Sequence, residues 1–329
     1  MNYVAPLWLP GGNLQTIWPA LYARRVLGER VLYRRERWPA PDGDFIDIDF
    51  GAWSSPAARP LLVLFHGLEG SSRSHYAEAF ADFARTRGFA FAAPHFRGCS
   101  GEINVAPRAY HSGDFEEVGW ILQRLHARQQ AEGGGAIMAV GVSLGGNVLL
   151  RWAEEMGTRA GGVVAAVAAV SAPLDLAASG RAIGRGFNRQ VYTRMFLRTM
   201  VPKALTKLAQ HPGLFNRERL LAARDLYDFD NVFTAPLHGY RNTDDYWARA
   251  SAKPHLRKIR IPALLVNACN DPFVPCASLP REHEVAKPVI LWQPAHGGHV
   301  GFAAGRLPPG HVLTIPQVVG GWLASRLGQ

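Results

Sequence analysis

Residues 136–156 read AIMAVGVSLGGNVLLRWAEEM. A short apolar run ends in Gly141-Val142-Ser143-Leu144-Gly145 and passes at once into residues with apolar spacing of three and four. That order predicts strand, sharp turn and helix in succession. A serine held there between two glycines is a candidate nucleophile. The turn strains its backbone and brings neighbouring chain close, so side chains at the flanks would clash. The helix that follows aims its first N–H groups toward an oxyanion formed beside the serine. The same pentapeptide also occurs as a plain glycine-rich turn, so the reading depends on its surroundings.

Those surroundings alternate. Near-continuous apolar runs recur at LLVLFHG (61–67), FAFAAPHF (89–96), GVVAAVAAVSA (162–172), ALLVNAC (263–269) and PVILWQPA (288–295). Continuous rather than alternating runs indicate strands covered on both faces. Helical stretches such as SHYAEAFADFARTRG and GDFEEVGWILQRLHARQQ lie between them. FIDIDFGAW alternates with period two and predicts an early antiparallel strand. The expected architecture is a mostly parallel, doubly wound α/β sheet. The pattern breaks after SAPLDL and returns at IRIPALLVNA. The expected organisation is therefore an N-terminal extension over residues 1–40, a first core part over 41–175, an inserted helical cap over 176–256, and a second core part over 257–329.

A serine hydroxyl needs a base to take its proton and an acid to orient that base, here in the order serine, acid, histidine. ALLVNAC runs into Asn270-Asp271-Pro272, and PVILWQPA ends in His296-Gly297-Gly298-His299, so each partner follows a strand. Open α/β sheets bind their ligands at such strand ends. Asp271 is the preferred acid, with Asp175 in SAPLDL as the alternative. Between His296 and His299 the residues themselves do not choose. LLVLFHGLEG supplies the fourth part: Leu68 follows His66-Gly67, and its N–H is the natural oxyanion donor beside that of Leu144.

Composition narrows the remaining classes. The 329 residues are 48% apolar and 19% charged, ordinary globular material. No signal-peptide pattern opens the chain and no apolar run reaches spanning length. Cys99, Cys269 and Cys276 are odd in number and lack metal-type spacing, which suits free thiols in a reducing compartment. The expectation is a soluble cytoplasmic protein. The net charge of +10 is concentrated locally. Between Asp175 and Glu218 stand eight basic residues and no acidic one. They are interleaved with large apolar residues and no nucleic-acid motif accompanies them, which argues against nucleic-acid binding. HGGH lacks the carboxylate or thiolate cluster of a metal site.

The chain resembles the YheT-like (abhydrolase type 4) branch of the α/β-hydrolases. The branch includes bacterial proteins named as esterases, yeast medium-chain ester synthases and esterases, and mammalian phospholipid-cleaving members. The matching segments span nearly the whole length: GGNLQTIWPAL, FHGLEGSSRSHYA, HFRGCSGE, AYHSGDFEEV, GVSLGGNVLLRW, DFDNVFTAPLHGY, DDYWARAS, LLVNACNDPFVP and HGGHVGF. The resemblance implies Ser143 as nucleophile, Asp271 as acid and His299 as base, favouring those two over Asp175 and His296. Asn270-Asp271 stands where the family often carries two acids. Carboxylic-ester hydrolysis follows, with acyl transfer to alcohols as an alternative. No metal or organic cofactor is required. Large apolar cap residues (Phe187, Val191, Met195, Phe196 and Met200) are candidates to line an acyl pocket, Met195 and Phe196 above all. The interleaved arginines suggest contact with an anionic head group or membrane surface. An idle, lipid-binding relative is the competing class, and the retained serine, aspartate and histidine argue against it.

Overall fold

Five runs that are apolar on both faces form the centre of the sheet. These are β3 (Leu61–Phe65), β4 (Ala90–Pro94), β5 (Ile137–Val142), β6 (Ala166–Val170) and β7 (Ala263–Val266), every residue of them buried. The computed structural model describes residues 2–53 and 59–328. With β1 (Tyr33–Pro39), β2 (Phe45–Gly51) and β8 (Val289–Trp292), its eight strands lie in the order β1-β2-β4-β3-β5-β6-β7-β8. The pairs from β4 to β8 are parallel, and β2 runs antiparallel to both β1 and β4. This is the α/β-hydrolase fold.

Alternate residues of each strand enter two different cores. Leu61, Val63 and Phe65 pack beneath α3 (Phe115–Ala131) and α4 (Leu144–Met156). Leu62 and Leu64 pack with α2 (His75–Thr86) and the C-terminal helix Thr314–Ala324. Burying one such side chain fully is worth roughly 1.5–3 kcal/mol.

Residues 33–39 lie within the expected N-terminal extension, yet they form the edge strand β1. Their sequence, YRRERWP, hides the strand because charge replaces apolar alternation. Arg35 and Arg37 reach across the pair to Asp49 and Asp47 at 2.7 and 2.8 Å. Ahead of that strand, α1 (Gly12–Leu21) packs onto the loops at the far end of the sheet. The connection from β6 to β7 is long and helical. It begins with α5 (Leu176–Ile183), contains the 17-residue helix Arg194–Gln210, and includes two π-helical turns at Arg189–Thr193 and Asp230–Thr234. Among the described residues no helix is long and apolar enough to cross a membrane.

Candidate active site

Ser143 occupies a position that only its two neighbours make available. It sits between β5 and α4 with φ 53°, the left-handed region that a serine seldom enters. A Cβ on Gly145 would stand 2.3 Å from the carbonyl oxygen of Phe65, and one on Gly141 would stand 2.3 Å from that of Gly145. The turn is therefore closed to any side chain at either flank. Ser143 N donates to Val170 O at 2.8 Å, which ties the elbow to the next strand.

His299 reaches this serine from the loop after β8. Its Nε2 lies 3.0 Å from Ser143 Oγ, and its Nδ1 lies 2.9 Å from Asp271 Oδ2. Asp271, in the loop after β7, is fully engaged. Its Oδ1 accepts from Phe273 N at 2.7 Å and from Val274 N at 3.2 Å, leaving Oδ2 for the histidine. The Phe273 ring lies over the imidazole with centroids 4.2 Å apart. The two alternatives stand elsewhere. Asp175 caps α5, accepting from Ala178 N at 2.9 Å. His296 is exposed, and its Nδ1 lies 3.3 Å from Asn270 Nδ2.

Leu68 and Leu144 face the same space. A Cβ on Gly67 would come within 3.1 Å of Ser143 Cβ, so the loop after β3 runs directly beside the elbow. Neither Leu68 N nor Leu144 N has a hydrogen-bond partner among the described residues, while Gly67 N and Glu69 N on either side of Leu68 are both taken. Two unpaired donors beside a hydroxyl suit a carbonyl oxygen that acquires negative charge. Burial pushes His66 down to about 3 and His75 down to about 4, so neither adds a charge beside the site at neutral pH.

Sequence reasoning missed the group that holds the histidine loop. Gln15 Oε1 accepts from Gly297 N and from Asn270 Nδ2, each at 2.9 Å, and Thr16 Oγ1 accepts from His299 N at 2.8 Å. Helix α1 lies so close that a Cβ on Gly301 would be 1.7 Å from Gln15 O. The signal was present in GGNLQTIWPAL, where a buried Gln-Thr pair interrupts an otherwise apolar helix.

Three cavities meet at Leu68, and two of them reach Ser143. An open cleft of about 1290 Å³ runs between α1 and the inserted helices, past Ser143, His299, Arg25, Arg73, Met195 and Phe196. On the other side an apolar cavity of about 630 Å³ touches Ser143, Ile183, Phe196, Met200 and Trp247. A further chamber of about 640 Å³ continues from it through Leu68, Leu144, Met200 and Asp230. Burial pushes the Asp230 carboxyl up to about 6, where it accepts from Trp247 Nε1 at 2.9 Å. Phe187 lines none of the three. It is exposed in the short helix Gly186–Asn188, just ahead of the π-helical turn, and packs edge-on to Tyr192.

A family model described as the alpha/beta hydrolase fold matches residues 60–305. YheT from Escherichia coli is 39% identical over 321 residues, covering 96% of this chain and 88% of that protein. Phospholipase ABHD3 from Mus musculus is 29% identical over 289 residues, covering 84% of this chain and 68% of that protein. Among solved structures, Est1E from Butyrivibrio proteoclasticus superposes with a TM-score of 0.55 at 16% identity, covering 92% of this chain and 100% of that one. That likeness concerns the fold.

Proposed function

Because the chain belongs to the α/β-hydrolase family, on the branch of YheT, we propose that it is a carboxylic ester hydrolase acting through Ser143, His299 and Asp271. One observation carries this reading: an unbroken hydrogen-bonded line from Ser143 Oγ through His299 to Asp271, with steps of 3.0 and 2.9 Å. His299 Nε2 takes the serine proton as Oγ attacks the ester carbonyl. Asp271 holds Nδ1–H and stabilises the imidazolium, and the N–H groups of Leu68 and Leu144 receive the oxyanion. His299 then protonates the leaving alcohol and activates water against the acyl-enzyme. Residues 176–256 act as a cap, and the apolar cavities beneath it take the acyl chain, which favours short- to medium-chain esters, glycerolipids among them. The open cleft takes the alcohol side, and an alcohol entering there in place of water turns hydrolysis into acyl transfer. The experiment compares wild type with Ser143→Ala on p-nitrophenyl esters from acetate to palmitate. The substitution is expected to remove turnover by roughly six orders of magnitude, together with fluorophosphonate labelling. A wild type that neither labels nor turns over any ester would sink the reading.

A second reading places the substrate at an anionic lipid surface. At the cleft Leu21 is 61% exposed with Met195 also exposed, and Tyr22, next to Leu21 in the chain, is 59% exposed. Arg181, Arg185, Arg194, Arg198 and Arg217 of the cap are exposed and form no ion pair among the described residues. An apolar rim flanked by unpaired arginines suits an anionic interface. Sedimentation with phosphatidylglycerol vesicles, but not with phosphatidylcholine vesicles, is the expected outcome at low salt. Equal recovery with both would reject the surface.

A further inference from the structure

The loop after β3 contains a second constrained residue besides its free donor. Glu69, directly after Leu68, has φ 57°. A non-glycine residue enters that region at about 1–3 kcal/mol and stays there only when its surroundings hold it. Three contacts do so. Tyr110 Oη accepts from Glu69 N at 2.9 Å and donates to Glu69 Oε1 at 3.0 Å. Lys203 Nζ lies 2.8 Å from Glu69 Oε2. The Tyr110 ring is itself fixed, stacked on Phe96 with centroids 5.4 Å apart and planes 6° from parallel.

These residues come from three parts of the chain. Glu69 belongs to the loop after β3, Tyr110 to the loop before α3, and Lys203 to the cap helix Arg194–Gln210. On the other side of Leu68, Gly67 N donates to Tyr76 Oη at 2.8 Å, and Gly70 N closes a turn onto Gly67 O at 2.9 Å. Both N–H groups flanking Leu68 are thus consumed by tyrosine hydroxyls, and the peptide between them is left with its own N–H unpaired. Glu69 is the left-handed corner of that turn.

We propose that Glu69, Tyr110 and Lys203 form a clamp that positions the Leu68 N–H for the oxyanion, with the cap supplying Lys203. None of the three touches the reacting atoms, so they are positioning residues. The inference rests on the serine-esterase reading above and assigns the cap a part in transition-state stabilisation as well as in holding the acyl chain. An oxyanion donor acts on the transition state more than on the bound ester, so loosening it lowers kcat and leaves KM.

The test uses the full chain and three variants, Lys203→Ala, Lys203→Arg and Tyr110→Phe. Each is measured for kcat and KM on p-nitrophenyl butyrate, for inhibition by a trifluoromethyl ketone that forms a tetrahedral oxyanion on the serine, and for Tm. Lys203→Ala is expected to lower kcat roughly 10- to 100-fold with KM within about twofold, and to weaken the ketone by a similar factor. Lys203→Arg keeps the charge pair and is expected to recover most of both. If Lys203→Ala fails to fold, Tyr110→Phe keeps the stacked ring, removes only the hydroxyl, and reads out the same split. Unchanged kcat and ketone affinity in folded Lys203→Ala and Tyr110→Phe would overturn the clamp while leaving the esterase reading standing. A wild type inert to ester and ketone alike would overturn that reading, and the clamp with it.

Discussion

The strand-end loops of the sheet and the helical cap above them hold their side chains by different means. In the loops, directional bonds do the work. Asp271 is fixed by two backbone N–H groups and His299 by Thr16, Asp271 and Ser143. In the cap the residues facing the cavities are mostly apolar. Phe196 and Met200 are half-buried against apolar clusters, and among the described residues the exposed Arg181, Arg185, Arg194, Arg198 and Arg217 form no ion pair. A hydrogen bond fixes an atom to a few tenths of an ångström, which acid–base chemistry requires. Apolar packing fixes only volume, which is enough to select an acyl chain by length. On the proposed function, chemistry and selectivity are therefore separable by mutation, except at Lys203, where the cap reaches the loop of the oxyanion donor.

The sharpest way to break that separation is in the loops. Asp271→Asn keeps shape but reverses the hydrogen-bonding demand on His299 Nδ1, and kcat is expected to fall about 10⁴-fold at every chain length. A loss confined to long esters would mean that Asp271 acts through the pocket instead. The intermediate effect lies in the cap. Met200 lines both apolar cavities, so Met200→Trp should cut turnover of decanoate and longer esters by roughly tenfold while leaving acetate within about twofold. That size matches the one to three kcal/mol that pocket volume commands. Uniform loss across the series would place the acyl chain elsewhere. The smallest effect is expected at Asp175, where core passes into cap. As an N-cap of α5 it is worth about 1 kcal/mol of stability, so Asp175→Ala should lower Tm by a few degrees and leave kcat within about threefold. A fall like that of Asp271→Asn would reassign the acid.

Much of the fold was legible because the sheet is buried on both faces. Continuous apolar runs identified the central strands, and glycine flanks identified the elbow, since a Cβ at Gly141 or Gly145 would collide with backbone. Strand β1 was not legible. Its arginines satisfy aspartates on the neighbouring strand, and a strand held by cross-strand charge shows no apolar period. Gln15 and Thr16 show in the sequence only as a polar pair in an apolar helix, and what they hold was not legible, because their partners lie 255 to 283 residues away. Phe187 shows the reverse error, since an apolar residue on a cap helix has two faces to choose from and composition does not say which one looks inward.

The sequence by itself determined the chain order of the candidate chemistry: a loop carrying the Leu68 N–H after an early strand, a serine on a strand-turn-helix elbow, and an aspartate and a histidine each beyond a later strand. Local backbone sterics and apolar periodicity are short-range properties, and they are written in adjacent residues. Local residues left chemically equivalent candidates open, the family resemblance favoured Asp271 and His299, and the tertiary structure shows how each candidate is placed. Asp175 and Asp271 both follow parallel strands, but one spends its carboxylate on its own helix and the other leaves an oxygen 2.9 Å from His299. Likewise His296 points to solvent while α1 draws the loop down and sets His299 against Ser143. Which of two identical groups stands beside Ser143 depends on atoms brought together from distant parts of the chain, and those contacts form only once the chain has folded.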